Sequence, residues 1–126
     1  MTIYIVSGDA TVRDSLTVLV AAAGLGVRAL PSLEAWSEAA GPEPCGCLVL
    51  DAGVNELTGP ERLARFASVC ARIPVIVLAD RGDITMAVHA IRQGAAYVQQ
   101  KPYRGETLLG YIKQAATTQG YGRATC

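Results

Sequence analysis

The sequence predicts an α/β fold in which one parallel sheet is covered by helices on both faces. Short apolar runs alternate with amphipathic helical patterns five times along the 126 residues, as expected for consecutive right-handed βαβ units. Three runs, IYIV, CLVLD and VIVLA, are almost continuously apolar, which is typical of strands buried on both faces. We therefore predict a doubly wound fold with five strands, at Ile3–Val6, Val27–Leu30, Leu48–Asp51, Val75–Ala79 and Ala96–Gln99.

Five helices are indicated by apolar residues at helical spacing and by residues that favour helix ends. Ser32 is a good N-cap for the second helix, and the fourth helix follows Asp83. Thr58 and Glu61 are spaced as a capping box that would open the third helix. The last helix carries its apolar positions from Leu108 onward and is followed by a polar, glycine-bearing tail.

A single domain accounts for this pattern, with residues 1–118 forming the domain and residues 119–126 a flexible tail. Hydrophobic residues make up 51% of the chain and charged residues 17%, which is typical of a globular protein. No apolar stretch has the length of a membrane span, and the N-terminus lacks the pattern of a signal peptide. We therefore expect a cytoplasmic protein without membrane contacts.

The charges are unevenly distributed although the net charge is zero. Residues 1–83 contain six Arg and ten Asp or Glu, whereas residues 84–126 contain five Lys or Arg and one acid, Glu106. Blocks of opposite sign within one domain favour a surface that faces a partner, although ordinary solvated faces give the same pattern.

Polar residues stand where the predicted strands end. In open α/β sheets, functional sites lie beyond the carboxyl ends of the strands. Asp51 closes a buried strand, and Lys101 follows the last strand and can reach the same crevice, so the two form either a fixed ion pair or an activated acceptor. The full set at the strand ends is Ser7-Gly8-Asp9, Asp51, Ala79-Asp80 and Lys101-Pro102.

Four segments, IYIVSGDATVRDSL, CLVLDAGVNELTG, PVIVLADRGDITMAVHAIRQGA and QQKPY, resemble the receiver domain of response regulators in two-component signalling. The resemblance is closest to the nitrogen-fixation-type, LuxR-class transcriptional regulators and covers nearly the whole chain. It implies a flavodoxin-like (βα)5 fold with strand order 2-1-3-4-5. It also implies a signalling module rather than an enzyme, with any DNA-binding output domain beyond this chain and no direct contact of this domain with nucleic acid.

The resemblance assigns roles to two residues. Asp51 occupies the position of the aspartate that accepts a phosphoryl group from a histidine kinase. Lys101 matches the lysine that contacts that phosphoryl group, and the Lys101–Pro102 bond is expected to be cis as in relatives.

The chain departs from the family pattern at the functional positions. Ser7 and Gly8 stand where two acidic residues hold magnesium in the family. Ala79 replaces the serine or threonine that hydrogen-bonds the phosphoryl group. Val98 replaces the aromatic residue that acts as a rotamer switch, with Tyr97 one place early.

These departures weaken a magnesium site, because Mg²⁺ prefers carboxylate and other oxygen ligands. The remaining candidate ligands are Asp9, which fits an N-cap better, and the carbonyl of Gly53. Asp51 and Lys101 nearly neutralise each other, so we expect a metal-free ion pair and no cofactor. Asp80 would crowd and repel an incoming phosphoryl donor.

The leading hypothesis is an atypical receiver that acts through protein–protein interaction rather than magnesium-dependent phosphorylation. The resemblance implies that the face formed by the fourth helix, fifth strand and fifth helix binds the partner, either a second copy or an effector, with a histidine kinase as a further partner. One alternative is an ordinary phosphorelay receiver that is phosphorylated on Asp51 with Mg²⁺ and Asp9. The other is a pseudo-receiver that senses a small molecule beside Ser7, Gly8 and Ala79.

Overall fold

The computed structural model describes residues 1–42, 44–51, 57 and 59–121 and contains one sheet of five parallel strands. The strand order is β2-β1-β3-β4-β5, so the predicted fold class and strand order are confirmed. The strands are β1 Thr2–Val6, β2 Val27–Leu30, β3 Gly46–Asp51, β4 Val75–Ala79 and β5 Tyr97–Gln100. The helices are α1 Ala10–Ala22, α2 Leu33–Ala39, α3 Pro60–Arg72, α4 Ile84–Arg92 and α5 Gly105–Tyr121.

The central strand β3 is hydrogen-bonded on both sides and is buried on both faces. β1 pairs with it from Thr2 opposite Gly46 to Val6 opposite Leu50, and β4 pairs with it as far as Asp51. Alternate residues of a strand point to opposite faces of the sheet. Because β1 and β4 pair with β3 up to its last residues, the end of β3 lies between the ends of β1 and β4.

Two hydrophobic cores lie on the two faces of the sheet. Leu48 and Leu50 belong to the core beneath α2, α3 and α4. Cys47 and Val49 belong to the core beneath α1 and α5. This alternation explains why β3 is apolar at every position before Asp51, since both faces of the strand are covered.

Most of the predicted helix caps are found in the structure, including those of α2 and α4. The side chains of Ser32 and Asp83 accept hydrogen bonds from backbone N–H groups in the first turns of α2 and α4. The capping box predicted from Thr58 is wrong, because α3 begins at Pro60 with Gly59 as its N-cap and without a side-chain cap. Pro at the first helical position needs no N–H partner. Thr58 itself lies outside the described residues.

Several boundaries differ from the predicted ones: β1 begins one residue earlier, at Thr2, and β5 is shifted by one residue, to Tyr97–Gln100. β3 begins at Gly46, two residues before the predicted start at Leu48. The prediction missed this start because glycine is disfavoured in strands and does not indicate one. A Cβ at Gly46 would collide with the Thr2 carbonyl oxygen, so this position requires glycine. α5 continues to Tyr121, past the domain boundary predicted at residue 118; residues 122–126 lie outside the described part, and the tail stays a prediction. No described helix is long and apolar enough to cross a bilayer.

Candidate functional site

The carboxyl ends of four neighbouring strands meet at one edge of the sheet. β3 lies between β1 and β4, and β5 lies beside β4. Ser7 follows β1, Asp51 ends β3, Ala79 ends β4 and Lys101 follows β5. The fold thus gathers at one edge the residues that the sequence placed at separate strand ends, where ligands bind in open α/β sheets.

The carboxylate of Asp51 is the centre of this site, and its side chain is 11% exposed. The Lys101 Nζ atom lies 2.5 Å from Oδ1 of Asp51. The Ser7 hydroxyl donates a hydrogen bond of 3.0 Å to Oδ2. Both carboxylate oxygens are therefore engaged by side chains of the same chain, as a largely buried charge requires. The ion pair predicted between Asp51 and Lys101 is confirmed.

Lys101 is fixed by its backbone as well as by its ammonium group. Its N–H donates a 2.8 Å hydrogen bond to the carbonyl of Ala79, and its Nζ lies 3.6 Å from the carboxylate of Asp80. Burial alone would lower the pKa of Lys101, but the hydrogen bond and charge of Asp51, with Asp80 adding to them, raise that pKa above its ordinary value. Lys101 therefore stays charged at neutral pH. The peptide bond between Lys101 and Pro102 is cis, as the resemblance implied.

Ser7 joins the β1–α1 connection to the central carboxylate, a role that the sequence did not reveal. It is 2% exposed, and its Oγ accepts a 3.1 Å hydrogen bond from the Asp9 N–H while donating to Asp51. The Arg13 guanidinium donates a 2.7 Å hydrogen bond to the Ser7 carbonyl oxygen. Sequence reasoning missed Arg13. Its position one turn after Asp9 was the available signal, because side chains on a helix point back toward its N-terminus.

The two residues that follow Ser7 do not bring a carboxylate into the site. Asp9 is the N-cap of α1, and its Oδ1 accepts a 2.8 Å hydrogen bond from the Thr11 N–H, as the capping interpretation predicted. Gly8 is exposed, and a Cβ built at this position would meet no heavy atom within 4 Å. An acidic side chain would thus fit sterically at position 8, where the sequence has none.

The donor set does not fit magnesium. Mg²⁺ binds oxygen ligands with near-octahedral geometry and is usually held by one or two carboxylates. At this strand edge, Asp51 already directs both oxygens to protein donors, and Asp9 caps a helix. Across the described ranges, no three His, Cys, Asp or Glu side chains lie close enough together to hold a metal ion. Gly53, the other candidate ligand, lies outside the described residues, and we derive no chemical step through a metal.

The two candidate switch residues of β5 face opposite sides of the sheet. Val98 is half-buried and packs against the core beneath α2, α3 and α4. Tyr97 packs in the core beneath α1 and α5, where its ring centroid lies 4.6 Å from that of Tyr111. Tyr97 therefore cannot substitute for an aromatic side chain at position 98. Ala79, at the neighbouring strand end, is fully buried and brings no hydroxyl group.

A doubly wound sheet with a carboxylate at the end of its central strand, paired with a lysine that follows the edge strand, defines a signalling module of the receiver type. The chain belongs to the response regulator receiver domain family, whose model matches residues 3–113. Receiver domains are signalling domains of two-component systems.

Curated relatives include response regulators from several bacteria. The chain is 41% identical over 113 residues to "Response regulator protein TmoT" of Ectopseudomonas mendocina, covering 90% of this chain and 51% of the relative. It is 33% identical over 113 residues to "Transcriptional regulatory protein FixJ" of Bradyrhizobium diazoefficiens, covering 90% of this chain and 55% of the relative. The chain thus spans about half the length of the curated relatives it matches.

Solved structures share the fold over nearly the whole chain. The crystal structure of FixJ-N matches with a TM-score of 0.79 and 32% identity, covering 92% of this chain and 93% of that chain. The structure of the response regulator StyR matches with a TM-score of 0.82 and 31% identity, covering 98% of this chain and 63% of that chain.

Proposed function

We propose that this chain is a cytoplasmic receiver domain that controls transcription without magnesium-dependent phosphorylation of Asp51. Its output is a protein–protein interaction through the face formed by α4, β5 and α5. Its input is a protein partner, which in the family is a histidine kinase. Two relatives are named as transcriptional regulatory proteins, which supports a role of this chain in the control of transcription.

The observation that carries the proposal is the closed network around Asp51. Lys101 neutralises one carboxylate oxygen, and the Ser7 hydroxyl, itself bonded to the Asp9 N–H, occupies the other. A magnesium ion at Asp51 would have to compete with the Lys101 charge and the Ser7 hydrogen bond for the same carboxylate. Of the described acids near this edge, Asp9 is committed to the α1 N-cap and Asp80 lies beside the Lys101 ammonium group.

The charge balance leads to the same conclusion. Two unit charges 4 Å apart interact by roughly 4 kcal/mol near a protein surface, so replacing two acidic ligands by Ser7 and Gly8 removes a large attraction for a divalent cation. Lys101 and the Arg13 guanidinium, which is bonded to the Ser7 carbonyl, add positive charge to the same edge. The site is therefore electrostatically complete without a metal.

The positions that would report phosphorylation also lack their chemistry. In the family, a hydroxyl at the position of Ala79 hydrogen-bonds the phosphoryl group, and an aromatic at the position of Val98 acts as a rotamer switch. Ala79 contributes only its backbone carbonyl to Lys101. Val98 offers no ring that could move between the core and the surface.

The test is binding of beryllofluoride, a phosphoryl mimic, together with Mg²⁺, followed by amide NMR shifts of residues near Asp51 and Val98. The matched control is the double variant Ser7→Asp/Gly8→Asp, which restores two carboxylates where Gly8 has room for a side chain. We expect no saturable shifts in the wild-type chain and saturable Mg²⁺-dependent shifts in the double variant. When Mg²⁺ alone is titrated into each protein, the double variant should bind it at least about tenfold more tightly than the wild-type chain, a difference of 1.4 kcal/mol.

Saturable, Mg²⁺-dependent beryllofluoride binding by the wild-type chain would overturn the proposal and favour an ordinary phosphorelay receiver. Loss of that binding in Asp51→Asn would then identify the acceptor. Shifts that the wild-type chain shows without Mg²⁺ would agree with independence from magnesium but would contradict the closed network around Asp51, because the ion-paired site would then bind the phosphoryl mimic unaided.

A further inference from the structure

The outer side of α4 carries an unusual stripe of exposed aliphatic residues. Ile84, Val88 and Ile91 follow one another at i, i+4 and i+7, and they are 69%, 42% and 53% exposed. This spacing places them on one face of the helix. The opposite face of α4 contributes Ala90 to the core and thereby fixes the orientation of the helix on the sheet.

The stripe forms one wall of a groove between α4 and the edge strand β5. The groove has a volume of about 500 Å³, and its lining is almost wholly apolar. Its lining residues are Ile84, Ala87, Val88, Ile91, Arg92 and Gln100.

The charges around this groove are of one sign. Arg92 is its only charged lining residue, it is exposed, and within the described part of the chain it forms no ion pair. Neither α4 nor β5 contains an acidic residue. Asp83, just before α4, directs its carboxylate to the Met86 N–H as the helix cap. The groove therefore combines an apolar lining with one cation that forms no ion pair among the described residues.

A second copy of this chain complements that surface poorly. In a two-fold symmetric contact the same patch is used by both partners. Such a contact on the α4–β5 groove would bring two Arg92 side chains into one apolar interface. Neither α4 nor β5 supplies a carboxylate to neutralise them, and Glu106 of α5 does not line the groove. A burial of this kind is costly for an unpaired charge.

We propose that the α4–β5 groove binds an amphipathic segment of another protein that presents aliphatic side chains flanked by carboxylates. The inference rests on the protein-interaction part of the proposed function and specifies its partner. The aliphatic side chains cover Ile84, Val88 and Ile91, and a carboxylate pairs with Arg92. Amphipathic helices commonly dock in such grooves through residues at i, i+4 and i+7.

The test uses a defined probe, since the natural partner is unidentified. A fluorescein-labelled helical peptide carries Leu at i, i+4 and i+7 with Glu at the flanking positions, and a matched peptide carries Lys in place of each Glu. We expect the Glu peptide to bind the full chain at least about tenfold more tightly than the Lys peptide by fluorescence anisotropy. The difference should shrink as salt is raised from low to about 0.5 M, because exposed charges are screened.

Variants assign the binding to the groove. Arg92→Glu should reverse the preference between the two peptides, and Arg92→Gln should abolish it without reversal. The matched control is Arg104→Glu, which alters an exposed cation that does not line the groove and should leave the preference in place. Val88→Gln should weaken the binding of both peptides. Circular dichroism verifies that each variant is folded.

Equal binding of the two peptides, or binding of neither, would overturn the inference. So would a concentration-dependent dimer in sedimentation that Val88→Gln abolishes, because a second copy would then be the occupant. The peptide titration is run without Mg²⁺ and beryllofluoride and again with both. If the proposed function is wrong, the NMR titration with beryllofluoride and Mg²⁺ shows it. If the inference about the groove is wrong, the peptide anisotropy shows it.

Discussion

The strand-edge site and the α4 groove handle polar and apolar groups in opposite ways. At the site, a largely buried carboxylate has a protein donor on each oxygen, and the donors are themselves held by backbone hydrogen bonds. At the groove, aliphatic side chains face solvent and Arg92 lacks a counter-charge among the described residues. Buried polar groups that are satisfied gain little from a ligand, whereas exposed apolar groups gain from being covered. The difference indicates that the polar groups around Asp51 are already satisfied within the chain, whereas the apolar groups of the groove are not covered.

The two regions are nevertheless connected through the β4–α4 turn. Lys101 pairs with Asp51 and approaches Asp80, the first residue after β4. The carbonyl of Asp80 accepts the N–H of Asp83, which caps α4. Asp80 therefore lies next to the site through its side chain and next to the start of α4 through its backbone.

The largest test of this comparison is Lys101→Met, which leaves the Asp51 carboxylate without its cation. We expect a loss of about 2 kcal/mol in the free energy of unfolding, between the values typical of exposed and buried ion pairs, because Lys101 is one-third exposed. Chemical denaturation measures the loss. Asp51→Asn/Lys101→Met should lose less than the sum of the single variants, and Arg104→Met, a nearby exposed cation, should change stability by less than about 0.5 kcal/mol.

The pH dependence of the stability difference between wild type and Lys101→Met tests whether the Asp51–Lys101 pair stabilises the fold through charge. The pKa of Lys101 is raised in the folded protein, so the contribution of the pair is fully present below the ordinary value of 10.5. It is lost as the pH rises through the higher, folded-state pKa. The stability difference between wild type and Lys101→Met should accordingly be constant from pH 7 to about 9 and shrink above about 10.5. A difference that persists undiminished at high pH would mean that the methionine disturbs packing rather than charge.

A smaller effect is expected for Ser7→Ala, which removes the hydroxyl that links Asp9 to Asp51. Both the Asp9 N–H and the second oxygen of Asp51 lose a partner, so we expect about 1 kcal/mol of destabilisation. Hydrogen exchange at the Asp9 amide should also become faster, which a loss of packing alone would not cause. Ser15→Ala, on the exposed side of α1, is the control, and a Ser7→Ala variant as stable as that control would refute the closed network.

The comparison also separates what the sequence can predict from what it cannot. Buried parallel strands leave continuous apolar runs, and a sheet of such strands brings their carboxyl ends together, so the placement of Asp51 and Lys101 at one edge was predictable. Their ion pair followed from the count of opposite charges there. These predictions rest on periodicity and topology, which tolerate errors of a residue or two at element ends.

Directional contacts within a short loop were not predictable. Ser7 was recognised as a missing ligand, but its hydrogen bonds depend on the course of the β1–α1 connection and on one rotamer. Arg13 was missed for the same reason, since its spacing from Asp9 fits an ordinary exposed helix position equally well. At α3, Pro60 and Gly59 set the helix start in place of the expected Thr58.

The smallest effect on stability is expected at the groove, for Ile91→Gln. Ile91 is more than half exposed, so the folded chain has little to lose, and the free energy of unfolding should change by less than about 0.5 kcal/mol. The same substitution at Ile112, a fully buried residue of α5 that packs in the core, should cost at least about 3 kcal/mol because it places an amide in that core. Equilibrium denaturation compares the two. A loss at Ile91 approaching that at Ile112 would mean that the stripe is part of the core, and the groove would then not be a free surface for a partner.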